Sequence, residues 1–294
     1  MPLIDASQTY QMTNLGAHID GTDVYQTNPN LLDNAYFVGG GSQLGDGVFP
    51  INQRGLTSYS SVGYGIDRWR GETGYASVAL AVDGLKFCSS TSGQWGTMVQ
   101  ILRKEASIAG KTVTISAIID GTLASTTYSI PASGGYDLTP ATVGDIAFNL
   151  YSPNGTDIQF RFYTTTATAH TIAAAKLELG TVSTLPNDAP PVFSEELAKC
   201  QHYLRYIPFV RVASPLEGTV ASISLLGMPM RGVPTPSLVS SGGVLDGYSL
   251  ISITGATVVG YAYQTVVVQF ALASAASSTL GYIYDTVLCL SAEL

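Results

Sequence analysis

The stretch DIQFRFYT, Asp157 to Thr164, decides the fold class. Ile158, Phe160 and Phe162 fall on one face and Gln159, Arg161 and Tyr163 on the other. That period of two belongs to a strand with one buried side, because successive side chains of a strand point to opposite faces. Upstream, Thr112, Thr114 and Ser116 alternate in the same way with Val113, Ile115 and Ala117. Between residues 31 and 180 the segments AYFV, IDRWR, ASVALAV, GTMVQIL, KTVTISAII, TLASTTYSI, DIAFNLY, DIQFRFYT and TIAAAKLEL are separated by clusters of Gly, Asn, Asp and Ser. Short strands at this spacing predict an antiparallel sandwich, here a jelly roll.

The pattern changes only once. STLPNDAPP carries Pro186, Pro190 and Pro191, which stiffen the chain and block helix. Ser194 then reads as a helix cap, with Glu195 and Glu196 in the first turn, where the helix dipole favours anions. Leu197, Cys200, Leu204 and Ile207 recur at helical spacing, which predicts one helix over residues 194–206, ended before Pro208. From residue 207 strands resume as FVRVA, TVASISLL, SLISIT, TVVGYAY, TVVVQFAL and GYIYDTVLCLSAEL. The expected organisation is an arm over 1–29, a jelly roll over 30–184, a linker and helix over 185–206, and a β-rich knob over 207–294. The fold class is all-β, a jelly-roll sandwich, one short helix and a second β-rich, trimerising domain.

Composition limits what such a chain does. Its 294 residues carry 13 Lys and Arg against 21 Asp and Glu, a net charge of −8, and only 12% of them are charged. With 46% apolar residues the chain is too hydrophobic for intrinsic disorder. An acidic chain with few cations lacks the basic face that nucleic-acid binding requires. MPLIDASQTY has neither the basic start nor the apolar run of a signal peptide, so no cleaved export signal is expected. The most apolar region, Thr257 to Tyr284, is interrupted by Gln264, Gln269 and SAASS and reads as strands rather than a membrane span. From Gly232 to Leu294 there is no Lys or Arg, and the acids are Asp246, Asp285 and Glu293. A small domain normally covers its large surface with charge. One that does not is expected to hide that surface between subunits.

Few motifs carry chemistry. Cys88, Cys200 and Cys289 are far apart and odd in number, which predicts buried thiols rather than a zinc site or a disulfide framework. His18, His170 and His202 fit no metal-ligand spacing. GGGSQLGDG, Gly39 to Gly47, lacks the Lys and the following helix of a phosphate-binding loop and reads as a flexible loop. No carboxylate pair stands out, and the chain is read as not an enzyme. The aromatic content says more. Seventeen Tyr against nine Phe is a surplus of rings that stack on sugar faces while donating a hydrogen bond. Tyr59, Tyr64, Trp95, Tyr136 and Tyr151 are candidates in the first domain, and Tyr248, Tyr261, Tyr263, Tyr282 and Tyr284 in the last, with core or interface packing as the competing role. Trp69 in IDRWR is assigned to the core.

NLLDNAYF (Asn30 to Phe37), PINQRG (Pro50 to Gly55) and TSYSSVGYGIDRW (Thr57 to Trp69) resemble the opening of a domain found in bacteriophage tail-fibre and receptor-binding proteins. That domain looks like a carbohydrate-binding-module jelly roll. KLELGTVST (Lys176 to Thr184) resembles its last strand, EELAKCQHYL (Glu195 to Leu204) the helix that follows, and MPMRGVPTPSL (Met228 to Leu238) with SAEL (Ser291 to Leu294) the C-terminal knob. The resemblance implies a phage tail or capsid fibre that trimerises and binds host-surface glycans, joined to other virion proteins through residues 1–29, with no membrane insertion. A capsid or tail decoration without a receptor and a polysaccharide depolymerase are the alternatives. Carbohydrate-binding residues are expected at Tyr59, Tyr64, Tyr136 and Tyr248, with the knob facing the receptor. No cofactor is expected. The resemblance leaves room for a structural calcium, to which Asp33 and Glu178 could contribute. Arg54 and Arg68 are expected to make buried or interface hydrogen bonds.

Overall fold

In the computed structural model of the chain, Phe160 and Phe162 are fully buried while Gln159, Arg161 and Tyr163 stay partly exposed, as their alternation requires. The structure describes residues 17–19, 22–24, 28–40, 49–60, 62–102, 108–226, 230, 233–240, 242–246, 249–262, 265–276 and 280–292. The chain divides into two compact units, Met1–Glu196 and Leu197–Leu294.

The first unit opens with a hairpin, β1 (Ala17–Ile19) and β2 (Thr22–Val24). There follow β3 (Ser58–Tyr59), β4 (Gly63–Tyr64), β5 (Arg70–Gly71), β6 (Ala76–Ala81), β7 (Gly84–Ser89), β8 (Gly96–Ile101) and β9 (Thr112–Ile119). Then come β10 (Thr122–Ser129), β11 (Tyr136–Asp137), β12 (Ala141–Val143), β13 (Ile146–Ser152), β14 (Gln159–Thr164) and β15 (His170–Leu179). They form two antiparallel sheets. One has six strands in the order β10-β9-β15-β7-β6-β3, and the other has seven, β11-β13-β14-β8-β5-β4, with β12 beside β13. The last strand, β15, inserts between β9 and β7, the crossed-over connection of jelly rolls. A core of Phe87, Ile115, Leu177, Phe148, Phe160 and Phe162 draws on both sheets. Trp69, also fully buried, sits 5.4 Å from Phe37, 6.1 Å from Phe160 and 5.9 Å from Phe162 between ring centroids.

The three opening motifs meet in one buried polar knot. The Asn34 side-chain amide donates to the carbonyls of Ile51 (2.8 Å) and Asp67 (2.9 Å), and its Oδ1 accepts from Ile51 N (2.7 Å). Trp69 Nε1 donates to the Asn34 carbonyl at 2.9 Å, and Asn34 N donates to Glu196 at 2.8 Å. Arg68 pairs with Asp33 at 3.2 Å, both side chains 1% exposed, and donates to the Ile101 carbonyl. Arg54 and Gln53 hold Asp67. Both arginines thus serve the fold, as expected.

After β15 a strap crosses the outer face of the six-stranded sheet, through a 3-10 turn at Leu185–Asn187, to helix α1 (Phe193–Gln201). In the second unit β16 (Leu204–Glu217), β17 (Val220–Leu225), β18 (Thr235–Ser240), β19 (Gly243–Asp246), β20 (Ser249–Ala262), β21 (Thr265–Leu272) and β22 (Leu280–Ser291) form a single sheet. Its order is β16-β17-β21-β20-β19-β22-β18, and β16 pairs again with β22, so six strands close into a ring around Phe209, Leu216, Val266, Val268, Phe270, Ile283 and Leu288. Closure leaves the six ring strands paired on both sides, and β18, paired with β22 alone, is the edge strand. Phe209 and Phe270 meet edge-on at 5.8 Å. No described helix is long and apolar enough to cross a membrane.

Several expectations are corrected. The helix is shorter than 194–206, because Leu204 to Ile207 pair with Ser291 to Leu288 and become strand, and it starts one residue early, with Val192 O accepting from Glu195 N and Glu196 N. AYFV is not a full strand. Asn34 has a φ of 51°, the chain turns there, and only the bridge Tyr36–Ala174 and the bonds Phe37 N to Ala173 O and Ala175 N to Ala35 O follow. IDRWR turns at Arg68, with a φ of 71°, and only Arg70 reaches a strand. The arm over 1–29, whose sequence builds no strand by pattern, holds one short antiparallel pair, Ala17–Ile19 with Thr22–Val24. SLISIT and TVVGYAY are one strand, β20, whose pairing shifts at Gly255 and Gly260. Beyond the arm, the sequence reading missed β3, β4, β7, β11, β12, β18 and β19 altogether.

Candidate functional site

The outer face of the seven-stranded sheet follows from register. Phe162, Met98 and Gly71 form an inward row, so Arg161, Val99, Arg70 and Tyr64 form the outward one. Asn149 faces Arg161 from β13, and Asp137 faces Tyr151 from β11. Tyr163 lies beside Thr97 one outward row along.

These residues build a shallow cleft of about 250 Å³ lined by Trp95, Thr97, Asp137, Arg161 and Tyr163. Trp95 is 57% exposed, and its ring meets that of Tyr163 edge-on at 5.6 Å. Its loop is fixed from below: Thr73 Oγ1 donates to the Trp95 carbonyl at 2.6 Å and accepts from Thr97 N at 3.1 Å. The next residue must be Gly96, because a Cβ there would lie 2.9 Å from the Ser89 backbone. The Arg161 guanidinium lies 4.3 Å from the Tyr151 ring centroid and 5.5 Å from that of Tyr163, a cation held on aromatic faces. It pairs with Asp137 at 2.6 Å and donates to Asn149 Oδ1, while Asn149 Nδ2 returns a bond to Asp137 at 2.8 Å. The cleft is therefore charge-compensated.

Hydroxyls at its edge stay protonated. Burial pushes the Tyr128 phenol up to about 12, aided by the nearby Tyr163 and Asp137 and opposed by Thr126, and it donates to the Thr139 carbonyl at 2.5 Å. Burial also raises Tyr163, with Arg161 opposing and Asp137 assisting. Two flat apolar rings beside fixed N–H donors and a carboxylate acceptor can stack on a sugar ring and bond its hydroxyls. The lining holds one carboxylate, Asp137, whereas glycoside hydrolysis commonly uses two.

The sequence-based candidates are scattered. Tyr64 shares the outward row with Arg161 but stands three strands along it, about 14 Å away, with Arg54 5.2 Å over its ring. Tyr136 sits on the opposite edge and turns inward against the core, where burial raises its phenol. Tyr59 also packs on the core, so close over Gly65 that a Cβ there would meet its ring at 1.8 Å; burial drives its phenol strongly upward. Tyr248 and Tyr263 lie outside the described residues, as does Gly41 to Gly47 of the glycine-rich loop. Tyr261 donates to the Met230 carbonyl. Trp95 and Tyr151 were among the wider candidates. Arg161, Tyr163 and Asp137 were not, although the alternation of DIQFRFYT already placed two of them on the face away from the core.

Asp33 and Glu178, named for calcium, are occupied otherwise: Asp33 by Arg68, Glu178 by Thr184 and Lys176. Among the described residues no group of three or more His, Cys, Asp and Glu could hold a metal ion. His170 bonds Asp120 at 2.6 Å, and Asp120 is held below the usual carboxylate range first by the Thr171 amide and then by His170. Comparison with protein-family models, curated proteins and solved structures finds no match.

Proposed function

We propose that the protein is an adhesin without catalytic activity that holds neutral glycans on the outer face of its seven-stranded sheet. The observation that carries this reading is the exposed Trp95 set against Tyr163, beside the charge-compensated Arg161–Asp137–Asn149 group. Placement on a phage particle, as a tail or capsid fibre, rests on the resemblance of residues 30–294. A glycan array is the test. Retention of neutral glycans, with affinity changing less than about twofold between low and high salt, is expected because a compensated cleft offers no net charge for salt to screen. Retention of no neutral glycan, or steep salt dependence, contradicts the reading.

The same reading includes a homotrimer. The second unit exposes Leu226 (76%), Val233 (69%) and Leu250 (66%) in a region poor in charge. Apolar side chains left in water favour self-association, and cyclic symmetry closes it. Light scattering should give three times 30.8 kDa; a clean monomer contradicts the trimer.

A further inference from the structure

Lys176 is a lysine with no exposed surface, directed from β15 under the strap. Its Nζ lies 2.7 Å and 2.6 Å from the two carboxylate oxygens of Asp188. With both oxygens at that range the carboxyl carbon is about 3 Å from the nitrogen, close enough for attack once the carboxyl group rotates to turn its face to the amine. A second carboxylate completes the group. Glu178, also without exposed surface, stands 3.8 Å from Nζ and is linked to it through Thr184, whose Oγ1 accepts from Nζ at 2.7 Å and donates to Glu178 at 2.6 Å. Glu178 is held there by Thr184 N at 2.8 Å, and Thr184 Oγ1 by Asn28 N at 3.2 Å.

We propose that Lys176 and Asp188 join in an intramolecular isopeptide bond, with Glu178 as the proton carrier. A simple ion pair would explain the contact, but not the second buried carboxylate wired to the same nitrogen. In the reaction one ammonium proton passes to Glu178, directly or along the Thr184 hydroxyl, leaving a neutral amine. The amine lone pair attacks the Asp188 carboxyl carbon, the N–C bond forms, and one C–O bond breaks. Two of the three ammonium protons leave with that oxygen as water, the third stays on the amide nitrogen, and Glu178 is regenerated as carboxylate. No oxidant or cofactor enters the balance. A cavity of about 210 Å³ lined by Leu32, Ile118, Ala174, Leu185, Glu196 and Asp188 adjoins the pair, and the Asp188 side chain, 24% exposed, gives the water an exit. The bond ties the strap to β15, so tension arriving from residues beyond Asp188 is borne covalently by the sheet.

Mass spectrometry of the denatured, trypsin-treated full chain tests this. Trypsin cannot cut after a lysine whose amine is acylated. The expected product is one peptide spanning residues 162–199, lighter than its sequence by about 18 Da, the mass of the lost water. Asp188→Ala and Glu178→Gln, checked for folding by circular dichroism, should both give separate peptides 162–176 and 177–199. Those separate peptides from the unsubstituted protein overturn the proposal, and a joined peptide from Glu178→Gln overturns the role of that carboxylate.

Discussion

Asn34→Ala is expected to destabilise the first unit by about 3–6 kcal/mol, most of the stability of an ordinary domain. Alanine removes three side-chain hydrogen bonds and leaves Ile51 N, Ile51 O and Asp67 O without them. Asn34 is 1% exposed, so water does not replace them without disrupting the packing around Trp69. Its φ of 51° adds to the cost, because asparagine tolerates the left-handed region better than alanine does. Denaturant titration followed by tryptophan fluorescence measures the loss. A change below about 1 kcal/mol would show that these bonds are dispensable.

Arg68→Ala should cost a similar amount, about 3–5 kcal/mol, for a different reason. It leaves the Asp33 carboxylate in the interior without its guanidinium and removes the donor to the Ile101 carbonyl. Removing both charges is milder than removing one, since an uncompensated buried charge is the costly species. The double change Asp33→Leu with Arg68→Met is therefore expected to recover at least half of the loss. Additive costs in the double variant would mean that the pair is not what Arg68 contributes.

The strands were legible where one face is buried. DIQFRFYT and KTVTISAII each predict their own orientation, and the structure follows them. Segments whose form is set by distant partners were not legible. AYFV is apolar enough for a strand, yet Asn34 must turn to reach Ile51 and Asp67. Leu204 to Ile207 keep a helical spacing, but pairing with Leu288 to Ser291 overrides it. Thr235–Ser240 and Gly243–Asp246 alternate too weakly to be noticed and become strands by pairing with β22 and, for the second, with β20 as well. The same limit applies to the cleft. Sequence identified a surplus of rings and, Tyr163 in DIQFRFYT apart, could not say which face each would take. One residue of register separates Tyr136, turned into the core, from Asp137, turned to the cleft.

The central claim, that the Trp95–Tyr163 cleft holds the glycan, is tested most directly by calorimetric titration of Trp95→Ala with the glycan that the array selects. The expected result is a loss of about 2 kcal/mol, roughly 30-fold in affinity, with unchanged unfolding, because an exposed ring that anchors a ligand contributes little to the fold. Wild-type affinity in a folded double variant, Trp95→Ala with Tyr163→Ala, would contradict it.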